Sequence, residues 1–417
     1  MVSKGVDARM TSSPSDPQVL VVQNGARHDY AVPLALAKAG MLAGFYTDVC
    51  GNHGLGKGAS LLTGLPGIGA TMQRLQHRIV PEEVLPFTRT FPMASGADHF
   101  LVETLGRSTK SRTLGWLMEA AGLRGAKLIY SSMGWSPTFL AHARSQGVTV
   151  VTEFYVRPSL WRVHQQEHLK FPHWEASIPY SHLSESNVAR RGPVDVSDHL
   201  LAPTLAVKED IIREGLFEGD KIHVVPYGIQ QGAFDVENQP VPGNVLFVGS
   251  CLIVKGIHYL AMASHHVACP PGGVQPTFTA AGEVTEIVRR QPETSLINFL
   301  GRVPRREIAA LYAQADVLVF PTLSDSFGMV ILEAMAAGIP VICSPYCADV
   351  VQDGISGFVV EPSDTKALAE KISLIIHDRA LRSRLSQAAR ERARQFSREN
   401  HGEHLIARLK QIAETTS

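Results

Sequence analysis

The segment Ser324–Pro345, S-D-S-F-G-M-V-I-L-E-A-M-A-A-G-I-P-V-I-C-S-P, constrains this chain more than any other. It follows an apolar run, Val317–Phe320, closed by Pro321, which reads as a parallel strand buried on both faces. A helix is expected to open near Gly328 and to stop at Gly338, with Pro340 just beyond as a second stop signal. The product is a strand, a loop carrying an acid and a glycine, and a helix whose N-terminus points into that loop. Unpaired N–H groups and the helix dipole at that end favour an anion such as a phosphate. Two carboxylates, Asp325 and Glu333, bracket the helix start, and a carboxylate is a natural acceptor for paired hydroxyls of a sugar ring or a ribose. One short stretch therefore offers groups for a sugar, a diphosphate and a ribose in order, as a nucleotide-sugar site requires.

The rest of the chain alternates strand and helix signals. Val19–Val22 reads as a strand leading through Asn24-Gly25 into a helix over Val32–Ala39. Lys127–Tyr130, Val148–Val151, Leu200–Ala202 and His223–Val225 continue the strands, with a helix over Thr138–Gln146. This alternation predicts α/β halves built on mostly parallel, doubly wound sheets. Gln239–Asn244, Q-P-V-P-G-N, interrupts the pattern as a linker, and Val245–Val248 opens a second half. In Val248–Gly256 a strand ends at Gly249 and Lys255 lies at the start of the next helix, where glycine admits phosphate oxygens and lysine adds a mobile charge.

The signature segment resembles that of the family-4-type retaining glycosyltransferases (glycosyltransferase group 1), whose pattern is E-G-F-G-L-V-x-L-E-A-M-A-x-G-x-P-V-I. Phe327 through Ile342 follow that pattern closely, while Asp325 stands for the first glutamate and Ser326 for glycine. Val248–Gly256 resembles the family's G-R-L-x-x-x-K-G, with Ser250 in place of the arginine. Ala280–Glu283, Asn298–Val303, Gly354–Pro362 and Val225–Ile229 match further family motifs, the last with Tyr227 and Gln230 replacing Asn and Asp.

The resemblance implies a GT-B fold, two Rossmann-like domains facing a central cleft. Residues 18–238 would form the acceptor-binding domain, 239–244 the linker and 245–395 the nucleotide-sugar-binding domain. Residues 396–417 would form a helix crossing back to the first domain, with the amphipathic stretch His401–Ile412 at its centre. Lys255, Gly249 and Ser250 would face the donor diphosphate, Arg302 and Val303 the base, and Glu333 the ribose. Asp325 would hold the transferred sugar beside Ser326, Phe327, Gly328, Met329 and Val330. Gly25 would approach the donor, and Arg27, His28, Asp29, Glu153 and Tyr155 would serve the acceptor side. Many family members carry a sugar-contacting histidine after the strand equivalent to Val148–Val151, where this chain has Thr152-Glu153-Phe154-Tyr155. The expected reaction is sugar transfer, with retention, from a UDP- or GDP-sugar to a hydroxyl of a glycan, a lipid-linked glycan or a small molecule. A nucleotide-sugar epimerase of the same fold, or a non-catalytic relative acting as a binding module, are the alternatives. No cofactor and no metal are expected, and the chain contains no D-x-D triplet, the metal-binding signature of the other glycosyltransferase fold.

Composition agrees. A chain of 417 residues is long for one core and suggests two domains. With 39 basic and 39 acidic residues there is no electrostatic signature of a nucleic-acid partner. No apolar run is long enough to span a bilayer. Met1–Pro17 is polar and Ser/Pro-rich and reads as a disordered tail without a signal-peptide core. Five scattered cysteines lack a C-x-x-C pair, which suits reduced thiols in the cytoplasm. Arg107, Lys110 and Arg112 with Trp116 and Leu117 suggest peripheral contact at the inner face of a membrane, or a plainly solvated helix face. His164-Gln-Gln-Glu167-His168 has the spacing of an inverted zinc-protease motif but no long apolar metal-binding helix around it. Gly51–Gly58 approaches a phosphate loop, yet Gly58 removes the hydroxyl that would hold magnesium.

Overall fold

The computed structural model describes residues 16–54, 56–58, 75–76, 78–91, 110–176 and 191–416. The first sheet contains β1 (Val19–Val22), β2 (Leu42–Thr47), β3 (Thr88–Thr90), β4 (Leu128–Ser132), β5 (Thr149–Glu153), β6 (His199–Ala202) and β7 (Ile222–Val224). Its order is β3-β2-β1-β4-β5-β6-β7, and every neighbouring pair is parallel. The second contains β8 (Asn244–Val248), β9 (Thr277–Ala281), β10 (Ile297–Gly301), β11 (Val317–Phe320), β12 (Val341–Cys343) and β13 (Gly357–Val359), ordered β10-β9-β8-β11-β12-β13 and again parallel.

The central strands β1 and β11 are covered on both faces, which is why they are continuously apolar. In β1, Val19 and Val21 pack on one face with Tyr30, Val32 and Leu36, while Leu20 and Val22 pack on the other with Met118 and Phe139. All four valine and leucine side chains of β1 are fully buried. Each such burial contributes about 1.5–3 kcal/mol relative to exposure.

Strand order reverses beside β1 in the first sheet and beside β8 in the second, and ligands in such sheets sit outside the carboxyl ends at that point. The loops after β1, β8 and β11 are therefore the ones placed to form a site. The signature helix runs Met329–Ala337 between Gly328 and Gly338, and its buried residues include Ile331, Leu332 and Ala334–Ala337. Gly328 has φ +73, and a Cβ there would lie 2.9 Å from the Ile331 side chain, so this turn requires glycine.

The chain passes between the domains twice, and the two passages lie side by side. The Ile229 amide donates to Phe396 O at 2.9 Å, and the Arg398 amide donates to Ile229 O at 3.1 Å. A Cβ on Gly228 would sit 2.3 Å from Ser397 O, so the second passage leaves no room for a side chain at Gly228. The final helix, Arg398–Thr416, buries Leu405, Leu409 and Ile412 in the same cluster as Val32 and Leu36 of the first domain. Among the described residues no helix is long and apolar enough to cross a membrane.

Candidate functional site

Two clefts open between the domains. The smaller, about 350 Å³, is lined by Arg27, His28, Tyr155 and Tyr227 on one side and by Gly249, Lys255, Phe320 and residues 325–330 on the other. The larger, about 600 Å³, is lined by His28, Asp29 and residues 228–230 together with Arg305, Tyr312, Met329, Glu333 and Arg398. His28 and Met329 line both, so the clefts meet at the N-terminus of the signature helix.

Asp325 organises that terminus. Its Oδ1 accepts the amides of Phe327 at 3.1 Å and Gly328 at 2.9 Å, and its Oδ2 lies 2.5 Å from Lys255 Nζ. Burial opposes ionisation of this carboxyl, but Lys255 and the two amides outweigh it and hold Asp325 below the usual carboxylate range. Lys255 Nζ also donates to Ser324 O at 3.1 Å and rests 5.9 Å from the Phe320 ring centroid. The amides of Met329 and Val330 meet no protein acceptor among the described residues, as the first turn of a helix must leave them. A lysine held by a carboxylate, and two free amides, thus face one cleft, and the lysine and amides suit a phosphate group.

Glu333 lies one turn further along the helix, in the larger cleft. Tyr312 OH donates to its Oε2 at 3.1 Å. Burial is the dominant influence and raises the Glu333 carboxyl above the usual range, opposed by Tyr312 and Arg305.

The first domain contributes a different cluster. Arg27 Nε donates to Glu153 Oε2 at 2.8 Å, Nη2 donates to Tyr227 OH, and the guanidinium stacks 3.4 Å from the Tyr155 ring centroid. Burial resists the charge on Glu153, and Arg27 overcomes it and keeps the carboxyl depressed. Asp29 Oδ2 accepts from Arg398 Nη2 at 3.1 Å and from Gln230, and lies 3.8 Å from Arg305. One carboxylate of the β1 loop therefore touches both passages of the hinge and a helix of the second domain.

Several expected site residues lie elsewhere. Gly25 lines neither cleft, and its amide donates to Asp48 Oδ1 at 3.0 Å. Ser250 is exposed and outside both clefts. Arg302 is exposed and paired with Glu283, and Val303 lies beyond both linings. Glu153 is 4% exposed and committed to Arg27, and Tyr155 supports the same guanidinium, so neither offers a free polar group in place of the family's histidine. Residues absent from the sequence-level set are Arg305, Tyr312 and Arg398, whose helices give no local signal of facing a cleft.

The H-x-x-E-H spacing has a structural explanation. His164 Nε2 pairs with Glu175 Oε2 at 2.8 Å. Glu167 turns the other way and accepts from His258 Nε2 at 2.9 Å, Tyr259 OH at 2.5 Å and Lys170 Nζ at 3.0 Å. Glu175 Oε1 in turn accepts the Ile253 amide at 2.6 Å. Helix Leu160–Lys170 thereby anchors the first domain to the loop and helix that carry Lys255. Among the described residues no group of three or more ligating side chains is placed to hold a metal ion. Gly51–Gly58, described except for residue 55, lines neither cleft. Trp116 is exposed on helix Lys110–Ala121, while Arg107 lies outside the described residues.

Residues 235–392 match the glycosyl transferases group 1 family, and the two facing domains are those of the GT-B fold. The chain is similar to the D-inositol 3-phosphate glycosyltransferase of Xylanimonas cellulosilytica, 30% identical over 229 residues, which are 49% of this chain and 54% of that protein. It is 28% identical to the glycogen synthase of Mycobacterium tuberculosis over 333 residues, 75% of this chain and 77% of that one. Among solved structures, the sucrose-phosphate synthase of Thermosynechococcus elongatus superposes with a TM-score of 0.62 at 20% identity, covering 96% of this chain and 100% of that one. HepE of Anabaena in complex with UDP-glucose gives 0.61 at 17% identity, covering 95% and 100%.

Proposed function

We propose that this protein is a retaining glycosyltransferase that moves a sugar from a UDP-sugar to a hydroxyl of a glycan, lipid-linked or small-molecule acceptor without a metal ion. The observation that carries the reading is the convergence of Lys255, Asp325 and the free amides of Met329 and Val330 at one helix N-terminus, with Glu333 on the same helix. The donor diphosphate would lie at that terminus, its ribose toward Glu333 and its sugar in the smaller cleft. UDP is favoured over GDP because a structural neighbour is described in complex with UDP-glucose.

In the transfer step the bond from the anomeric carbon to the β-phosphate oxygen breaks, and its electron pair stays with UDP. The acceptor oxygen bonds to the same carbon on the same face, and its proton passes to the departing phosphate. Negative charge grows on that phosphate in the transition state, where Lys255 and the two amides would stabilise it. Preorganised donors of this kind are worth about 3–4 kcal/mol each when water is excluded. Asp325 fixes Lys255 and the loop, and its remaining lone pairs would accept a sugar hydroxyl.

The test is incubation of the full chain with a panel of UDP- and GDP-sugars, with release of nucleotide diphosphate as the readout and the anomeric configuration of any product read by NMR. Slow release without acceptor supports the transferase. Donor binding with no release and no transfer would leave the binding-module alternative, and an inverted anomer would overturn retention.

A further inference from the structure

We infer that His28 is a donor-binding residue, which donates a hydrogen bond from Nε2 to the diphosphate of the nucleotide sugar across the cleft from Lys255. The inference rests on the nucleotide-sugar reading above and moves His28 from the acceptor side to the donor.

Three observations carry it. The first is backbone strain. His28, Asp29 and Tyr30 have φ of +47, +51 and +62, three consecutive non-glycine residues in the left-handed region. Each costs an L-residue about 1–2 kcal/mol. Such a run persists only where its surroundings impose it, and strain of this kind gathers at ligand sites.

The second is what imposes it. Arg27 is held by Glu153, Asp29 by Arg398 and Gln230, and Tyr30 is buried against Phe45. The loop is fastened on both sides of His28, and the fastenings present the imidazole instead of engaging it. Its ring lies 4.3 Å from that of Tyr227, which fixes its plane.

The third is the state of the ring. Nε2 is shielded from water and meets no hydrogen-bond partner among the described residues. Leaving such an atom unpaired costs about 1–3 kcal/mol, which a ligand can recover. Burial lowers the imidazole to about 4, helped by Arg27, His401 and Arg398 and opposed by Glu153, so the ring is neutral at neutral pH. His28 also lines both clefts, the smaller one with Lys255 and the larger one with Glu333. A neutral imidazole there donates to a phosphate oxygen without adding a charge that would have to be desolvated.

The experiment is calorimetric titration of UDP and UDP-glucose into the full chain, wild type and three variants, with each variant's melting temperature measured alongside. His28→Ala is expected to weaken UDP binding by about tenfold or more, the loss of one hydrogen bond to a charged group. His28→Gln, whose amide can donate, should keep most of the affinity. His28→Gly should melt at a higher temperature than His28→Ala, since glycine accepts φ +47, yet bind UDP as weakly. Equal UDP affinity in wild type and His28→Ala would overturn the assignment. So would affinity that follows melting temperature, with His28→Gly rebinding UDP, because the ring would then act only through the fold. A wild type that binds neither UDP nor UDP-glucose while binding GDP moves the reading to GDP, and the same variants are then titrated with GDP against the same criteria. Binding of no nucleotide at all overturns the nucleotide-sugar reading and this assignment with it.

Discussion

Asp325 is joined to Lys255 through one oxygen and to its own loop through the other: Oδ2 lies 2.5 Å from Nζ, while Oδ1 accepts the amides of Phe327 and Gly328. The length of the side chain decides this. Aspartate can turn back on amides two and three residues ahead, whereas one more methylene moves the carboxylate by about 1.5 Å along the chain. Asp325→Glu is therefore expected to be harmful although it restores the family pattern, because it disturbs the loop caps and the Lys255 contact together. Misplacement of about 1 Å can cost on the order of a hundredfold in rate. Asp325→Asn should be nearly inactive, since Lys255 then loses its counter-charge. Initial rates of both variants with the best donor check this, and full activity in either contradicts it.

Lys255→Ala should depress turnover more than donor affinity, because the charge on the leaving phosphate is greatest in the transition state. With Ser250 exposed and outside both clefts, Lys255 has no second cation from the same loop to replace it. Comparison of kcat with the donor Kd from calorimetry separates the two effects. A variant that keeps most of its kcat would assign phosphate stabilisation to other groups.

Glu333→Gln is expected to weaken UDP binding by about 1.5–3 kcal/mol, the worth of a hydrogen bond to a charged group. The fold should survive, because Tyr312 OH can donate to a glutamine carbonyl as it does to the carboxylate. Tyr312→Phe should have a smaller effect on binding, since it removes a group that orients Glu333 without removing the acceptor. Titration of UDP into the three proteins measures the order, and unchanged affinity in Glu333→Gln would remove the ribose assignment.

Glu167→Ala should destabilise the whole chain although it lies outside both clefts. It strands two buried donors, His258 Nε2 and Tyr259 OH, at about 1–3 kcal/mol each. The loss should fall in urea midpoint and, because helix Leu160–Lys170 supports the loop carrying Lys255, in turnover as well. A variant as stable as wild type would show that the domain contact is redundant.

Stability should fall as the pH drops below about 6.5. Burial lowers His28 and His223 to about 4, and it also lowers His199, His258 and His401. Between about 4 and 6.5 the unfolded chain binds protons on these residues and the folded chain does not, so stability rises with pH across that window and is lost in acid. Each histidine adds at most about 1.4 kcal/mol per pH unit. Urea midpoints at pH 7.5, 6.0 and 5.0 should decline in that order, and His223→Gln should flatten the decline. A flat profile would mean that these imidazoles are readily protonated in the native state.

The parts of the fold legible in the sequence were those fixed by local chemistry. Val317–Phe320 is a strand and Met329–Ala337 a helix between two left-handed glycines, because a continuous apolar run and glycine stop signals act over a few residues. β2 and β3 gave no such signal. Leu42–Thr47 carries Gly44 in its middle, and Thr88–Thr90 is a polar edge strand of three residues that exists only by pairing with β2. The H-x-x-E-H spacing shows the converse, since a short pattern cannot say that its first histidine and its glutamate point to different neighbours.

The sequence by itself determined the class of architecture and the strand-loop-helix unit around Asp325, because each depends on residues close along the chain, whereas the pairing of Asp325 with Lys255 joins two such units 70 positions apart and came from the tertiary structure. Only the tertiary structure decided what the β1 loop does. Asp29 meets Arg398 across 369 positions of sequence, and Arg27 meets Glu153 across 126. Such contacts follow from the order of parallel strands, which brings the ends of β1 and β5 and the returning last helix to one edge of the cleft. Strand order is set by the packing of whole layers, and no local pattern around residues 27–30 encodes it.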